Sequence, residues 1–178
     1  MTAIFVVASA GLALGAAGPE AMEIPQKEGG RLKVLLFRPE GPGPFPAVVA
    51  LHNCSGLNNR GGSFGTRYRD WGERLVKSGY VVVFPDSNVS RGAGSQCAAQ
   101  SRSIRSDRER VADAEAARVW LQSQSWVAGD RISLLGWSSG AIAALWAVRA
   151  RAHQASEGPD FRSAVALYPG CRRLSNAA

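Results

Sequence analysis

The stretch Ile132-Ser-Leu-Leu-Gly-Trp-Ser-Ser-Gly-Ala141 decides the fold. Ile132 to Leu135 is a short apolar run, which reads as a buried strand. The Ala-rich run after Gly140 carries no charge until Arg149 and reads as a buried helix. Between them lies Gly136-Trp-Ser-Ser-Gly140, a G-x-S-x-G turn. Strand, G-x-S-x-G and helix form the arrangement called a nucleophile elbow. The turn is tight enough to lift the Ser138 hydroxyl clear of the backbone, and a Cβ at Gly136 or Gly140 would meet the neighbouring strand or helix. The following helix aims free N–H groups and a partial positive charge at the site, suited to an oxyanion forming beside Ser138.

Working outward, the same grammar repeats. Ala47 to Leu51 is a continuous apolar run, as a strand buried on both faces requires, and it ends in His52-Asn53-Cys54. Tyr80 to Phe84 is a second such strand, closed by Pro85-Asp86. Tyr68, Trp71 and Leu75 recur at helical spacing before a stop at Gly79. Ser106-x-x-Glu109 reads as a capping box, after which Val111, Ala114, Ala117 and Leu121 line one helix face. Arg31 to Phe37 reads as a strand near a sheet edge, and Ala164 to Tyr168 as the last strand. Strand and helix alternate, which predicts an α/β fold with a mainly parallel sheet flanked by helices. Chemistry in such sheets collects at the carboxyl ends of the strands. Here those ends carry His52, Asn53, Cys54, Asp86, Ser138 and Cys171.

The 178 residues suffice for one core, and 46% hydrophobic residues place the chain among globular proteins. The net charge of +7 raises nucleic acid as a partner, but the Arg residues are scattered among acids, as in Arg105-Ser-Asp107-Arg108-Glu109-Arg110. A solvated basic surface follows, with no nucleic-acid or membrane partner. Residues 1–18 are apolar, small and uncharged from Ile4 to Ala17, which reads as a signal peptide and hence export. The three cysteines have no metal spacing, and no metal or cofactor is expected. Cys97 and Cys171 both lie beyond strand ends, and a disulfide between them is the expectation for the exported form.

Four segments in order then carry a resemblance: Phe45 to Gly56, Gly79 to Asp86, Gly136 to Gly140, and Ala164 to Gly170. Together they resemble the dienelactone hydrolase family of α/β-hydrolases, across about Ile24 to Cys171. The resemblance implies a partial α/β-hydrolase domain over 24–178, cut after about the sixth strand, and hydrolysis of a small ester or lactone through an acyl-enzyme on Ser138. Dienelactone hydrolases carry Cys at that position, so Ser points to a general esterase. The resemblance also implies oxyanion donors at the backbone N–H groups of Cys54 and Ser139, and a substrate-carboxylate role for Arg91, one residue out of register.

A serine nucleophile needs a base oriented by an acid. The family takes its acid after the seventh strand and its His after the eighth. After Ser138 this sequence offers His153, Glu157 and Asp160, none at a strand end. His52 does lie at a strand end, where the resemblance implies a structural His. The expectation is therefore a chain holding nucleophile and oxyanion hole but neither acid nor base, with an apolar strand edge at Ala164 to Tyr168 open to self-association. The competing readings are a non-catalytic truncated α/β-hydrolase domain serving binding or assembly, and a basic surface-binding protein.

Overall fold

The computed structural model describes residues 18–27, 29–99, 102–149 and 158–170. Residues 1–17, which hold most of the expected signal peptide, lie outside them, as do His153, Glu157 and Cys171.

The strands are β1 (Glu20–Pro25), β2 (Arg31–Phe37), β3 (Phe45–Leu51), β4 (Val81–Pro85), β5 (Val127–Trp137) and β6 (Ser163–Leu167). The helices are α1 (Thr66–Lys77), α2 (Glu109–Gln122) and α3 (Ser139–Ala147). One six-stranded sheet runs in the order β1-β2-β4-β3-β5-β6. β4, β3, β5 and β6 are mutually parallel, while β2 joins β4, and β1 joins β2, antiparallel. The α/β class and the mainly parallel sheet are as the sequence predicts.

Period-2 alternation distributes each strand between two cores. Ala47, Val49 and Leu51 of β3 pack with Ala114, Ala117 and Leu121 of α2 and with Ala143, Ala144 and Ala147 of α3. Val48 and Ala50 face the other way, toward Tyr68 and Val76 of α1 and the rings of Phe84 and Trp137. β3 and β4 are apolar throughout because helices cover both faces. α1 comes so close to the sheet that a Cβ on Gly72 would meet the Phe37 ring at 2.8 Å. It ends as Gly79 predicts: that residue takes φ 84°, and the Tyr80 N–H returns to the Leu75 carbonyl at 2.9 Å.

Four local expectations change. β1 was not foreseen. It pairs outside β2, which sits one place in from the edge. β5 begins at Val127 rather than Ile132, its start hidden by the polar Gly129-Asp130-Arg131. The Ser106 capping box does not form: Glu109 Oε2 instead accepts from the Arg105 N–H at 2.8 Å, closing a turn ahead of the helix, and α2 starts only at Glu109. The disulfide joins Cys54 to Cys97, with Cα atoms 4.9 Å apart, not Cys97 to Cys171. Folding brings the loop after β4 back over the loop after β3, a meeting that the linear order conceals.

Candidate active site

β5 runs into α3 through a single residue, Ser138, at φ 52° and ψ −112°. A non-glycine residue with this backbone is strained and needs a surrounding that leaves no alternative. Both flanking glycines supply it. A Cβ on Gly136 would fall 2.3 Å from the Gly140 carbonyl oxygen, and one on Gly140 would fall 2.0 Å from the Leu51 oxygen. The first turn of α3 therefore presses directly on the end of β3. The Ser138 N–H donates to the Leu167 carbonyl at 3.0 Å, and the Ile142 N–H donates to the Ser138 carbonyl at 3.0 Å. Ser138 is half-buried, and among the described residues no side chain hydrogen-bonds its Oγ.

The loop after β3 is held from several sides. The Asn53 N–H donates to Tyr68 Oη at 3.0 Å, and Asn53 Oδ1 accepts from the Ser55 N–H at 3.0 Å. Cys54 is fixed by its disulfide and by the Gln96 N–H, which reaches the Cys54 carbonyl at 2.8 Å. The N–H groups of Cys54 and of Ser139, the first residue of α3, have no acceptor among the described residues. One belongs to the residue after Ser138; the other stands two residues beyond His52, whose carbonyl lies against Gly140.

His52 is fully buried, and its Nδ1 meets the Asn53 carbonyl at 2.6 Å. Burial, aided by the charge of Arg110, holds its pKa well below 6.5, so the ring is neutral. It makes no bond to Ser138. Asp160, the one described acid after Ser138, is exposed just before β6, at the opposite end of the sheet. Neither completes a triad.

Arg91 is not free to hold a substrate. Its two terminal nitrogens grip the fully buried Asp113 at 2.8 Å each, and Nη1 also reaches the Ser87 carbonyl. The Asp113 partnership raises the Arg91 pKa and neutralises its charge. Asp113 Oδ1 also accepts from Gln26 Nε2 at 2.7 Å, tying the end of β1 into the same network.

The sequence reading missed two more residues. Arg110 of α2 is buried, and its guanidinium donates to Ser139 Oγ at 2.9 Å and to the His52 carbonyl. Burial lowers its pKa to about 10, which leaves it protonated at neutral pH. Helix arithmetic could have found it: Arg110 and Asp113 share a face with Ala114, Ala117 and Leu121. Tyr168 takes φ 43° just after β6, and its hydroxyl accepts from Arg67 Nη1 at 3.1 Å. Nothing in its sequence context announces that backbone. Among the described residues no group of three or more His, Cys, Asp or Glu could hold a metal ion, and no helix is long and apolar enough to cross a membrane.

The model of the dienelactone hydrolase family matches residues 32–177. The chain belongs to that family. A curated relative from Bradyrhizobium sp, described as a probable 2-oxo-3-(5-oxofuran-2-ylidene)propanoate lactonase, is 29% identical over 130 residues, covering 69% of this chain and 48% of the relative. This chain thus spans about half the length of that family relative. Two solved structures share the fold. Dipeptidyl peptidase 4 of Porphyromonas gingivalis has a TM-score of 0.63 at 20% identity, over 87% of this chain and 21% of its own. A dienelactone hydrolase-like promiscuous phosphotriesterase from metagenomic libraries has a TM-score of 0.57 at 22% identity, over 75% of this chain and 54% of its own.

Proposed function

We propose that the protein is a serine hydrolase of the dienelactone hydrolase type, acting on a small carboxylic ester or lactone, with Ser138 as nucleophile. The observation that carries this reading is the strained Ser138, at φ 52°, between two glycines that tolerate no Cβ. The family and the lactonase relative support the substrate class.

Ser138 Oγ attacks the carbonyl carbon, and the charge that develops on the carbonyl oxygen is met by the N–H groups of Cys54 and Ser139. The C–O bond to the leaving group breaks as that group takes the proton lost by Ser138. Water then cleaves the acyl-enzyme. The acid and the base come from residues outside those described. The Cys54–Cys97 disulfide supports an exported protein, because such bonds persist in oxidising compartments.

The test is labelling of the full-length protein with a fluorophosphonate, alongside turnover of short p-nitrophenyl esters. An activated Ser138 reacts rapidly and Ser138→Ala does not. Equal labelling of both would overturn the assignment.

A further inference from the structure

Arg110 sits where a cation is costly. It is 3% exposed, and no carboxylate lies within ion-pair distance of it among the described residues. Asp113 and Asp86 act on it only from a distance, and its Nε has no partner. Taking such a charge out of water carries a desolvation penalty that its hydrogen bonds must offset. Its two bonds go to two segments that are remote in sequence and follow the ends of the paired strands β3 and β5: Nη1 to Ser139 Oγ at 2.9 Å, and Nη2 to the His52 carbonyl. Ser139 carries one available N–H, and His52 stands two residues before Cys54, which carries the other.

We propose that Arg110 is a positioning residue for the oxyanion donors, its planar guanidinium fixing the loop after β3 to the first residue of α3 and placing a positive charge behind both. The proposal rests on the reading of Ser138 as nucleophile. The guanidinium fork suits the task because it offers donors at a set angle to two acceptors at once, whereas a lysine ammonium has no such fixed geometry. Its charge is felt at the site, since it helps to keep the His52 ring neutral. Gly136 and Gly140 by themselves permit the close approach of α3 to β3. What the bond adds is a fixed distance between two N–H groups.

The experiment compares wild type, Arg110→Lys, Ser139→Ala and Ser138→Ala in the full-length protein. Its readouts are kcat and KM on a p-nitrophenyl ester, inhibition by a trifluoromethyl ketone whose oxyanion fills the same hole, and Tm. Arg110→Lys lowers kcat about 10²-fold with KM within about threefold, and weakens the ketone by a similar factor, as expected when oxyanion donors are misplaced. A purely structural role instead lowers Tm and leaves kcat of the folded protein and ketone affinity unchanged, which overturns the proposal. Should Arg110→Lys fail to fold, Ser139→Ala decides. It keeps the N–H and loses only the acceptor, and lowers kcat about fivefold to tenfold at unchanged KM, a fraction of a full donor's worth. An unchanged kcat there overturns the proposal. Ser138→Ala separates the two levels. If it still turns over, the nucleophile reading falls and takes this role with it. If it is silent while Arg110→Lys and Ser139→Ala match wild type, only the role of Arg110 falls.

Discussion

The two sides of the Ser138 turn are built differently. On the inner side, β3, α2 and the loop after β4 converge on the turn through a disulfide, a buried guanidinium and a glycine seated on the Leu51 and His52 carbonyls. On the outer side, β6 is held to the turn by the backbone bond from Ser138 to Leu167, its ladder with β5, and packing from α3. There Val165 is 50% exposed and Tyr168 59% exposed. The contrast teaches that the segments carrying the Cys54 and Ser139 N–H groups are held by buried contacts from several elements within one half of the site. The other half offers a strand edge that no described strand covers and a strained tyrosine held by Arg67.

Changes on the inner side should therefore cost most. Ser138→Ala removes the proposed nucleophile and should lower kcat about 10⁶-fold, as loss of an activated serine does elsewhere. Steady-state turnover of the full-length protein checks it. Cys97→Ser comes next. It opens the Cys54–Cys97 bond, which closes a separation of 43 residues, and should cost roughly 3–4 kcal/mol. Since the bond also holds Cys54, activity should fall along with stability, and reduction by dithiothreitol should reproduce both effects. Asp113→Ala leaves Arg91 without the carboxylate that both its terminal nitrogens grip, and strips Gln26 of its acceptor. Asp113 is buried but Arg91 reaches solvent, so the loss is that of hydrogen bonds to a charged group rather than of a fully buried pair, about 1.5–3 kcal/mol, and urea unfolding should show it. A loss below about 1 kcal/mol would mean that the network is incidental to the inner side.

The inner side also predicts a pH dependence. The His52 pKa lies well below 6.5 in the folded protein, because burial disfavours the charged ring. The unfolded chain takes up a proton below about pH 6.5 that the folded one refuses. Stability from this group is thus full above that value and falls as the pH drops toward the folded pKa. The slope approaches about 1.4 kcal/mol per pH unit, one proton's worth. His52→Gln should flatten that limb in denaturant titrations between pH 6.5 and 5. An unchanged slope would place the acid sensitivity elsewhere.

Much of the inner side is legible in the sequence, and the reason is periodicity. β3 and β4 are unbroken apolar runs because both of their faces are covered, and G-x-S-x-G has its glycines where a Cβ has no room. What escapes is whatever depends on a meeting of distant segments. Cys54 finds Cys97 only because β3 and β4 are neighbours with overlying loops. Arg91 looks available until folding brings up Asp113 from α2, 22 residues further along the chain. β1 escapes for a different reason: of Glu20 to Pro25 only Ile24 is fully buried, so the strand shows no clear alternation. Arg110 was within reach of helix arithmetic, but a charged residue on an apolar face reads as an interruption unless its two acceptors are known.

The smallest expected energy lies on the outer side, where the comparison is also sharpest. β6 pairs with β5 through five residues, and no described strand takes its other edge. The run Ser163 to Leu167 contains no charge, and Val165 is half exposed. Such an edge offers unpaired N–H and C=O groups to any matching strand. The 178-residue chain should accordingly associate with itself as its concentration rises. Val165→Lys should change folding stability by no more than about 0.5 kcal/mol, because the side chain it replaces is already half exposed and a lysine stem can cover the same surface. It should nevertheless shift the assembly toward monomer, since an edge lysine must be desolvated before a second strand can pair. Light scattering behind size-exclusion chromatography, over a wide concentration range, reads this directly. A monomer at every concentration, or an assembly indifferent to Val165→Lys, would show that the edge is already protected. The outer side would then be as complete as the inner one, and the contrast between them would reduce to one of burial.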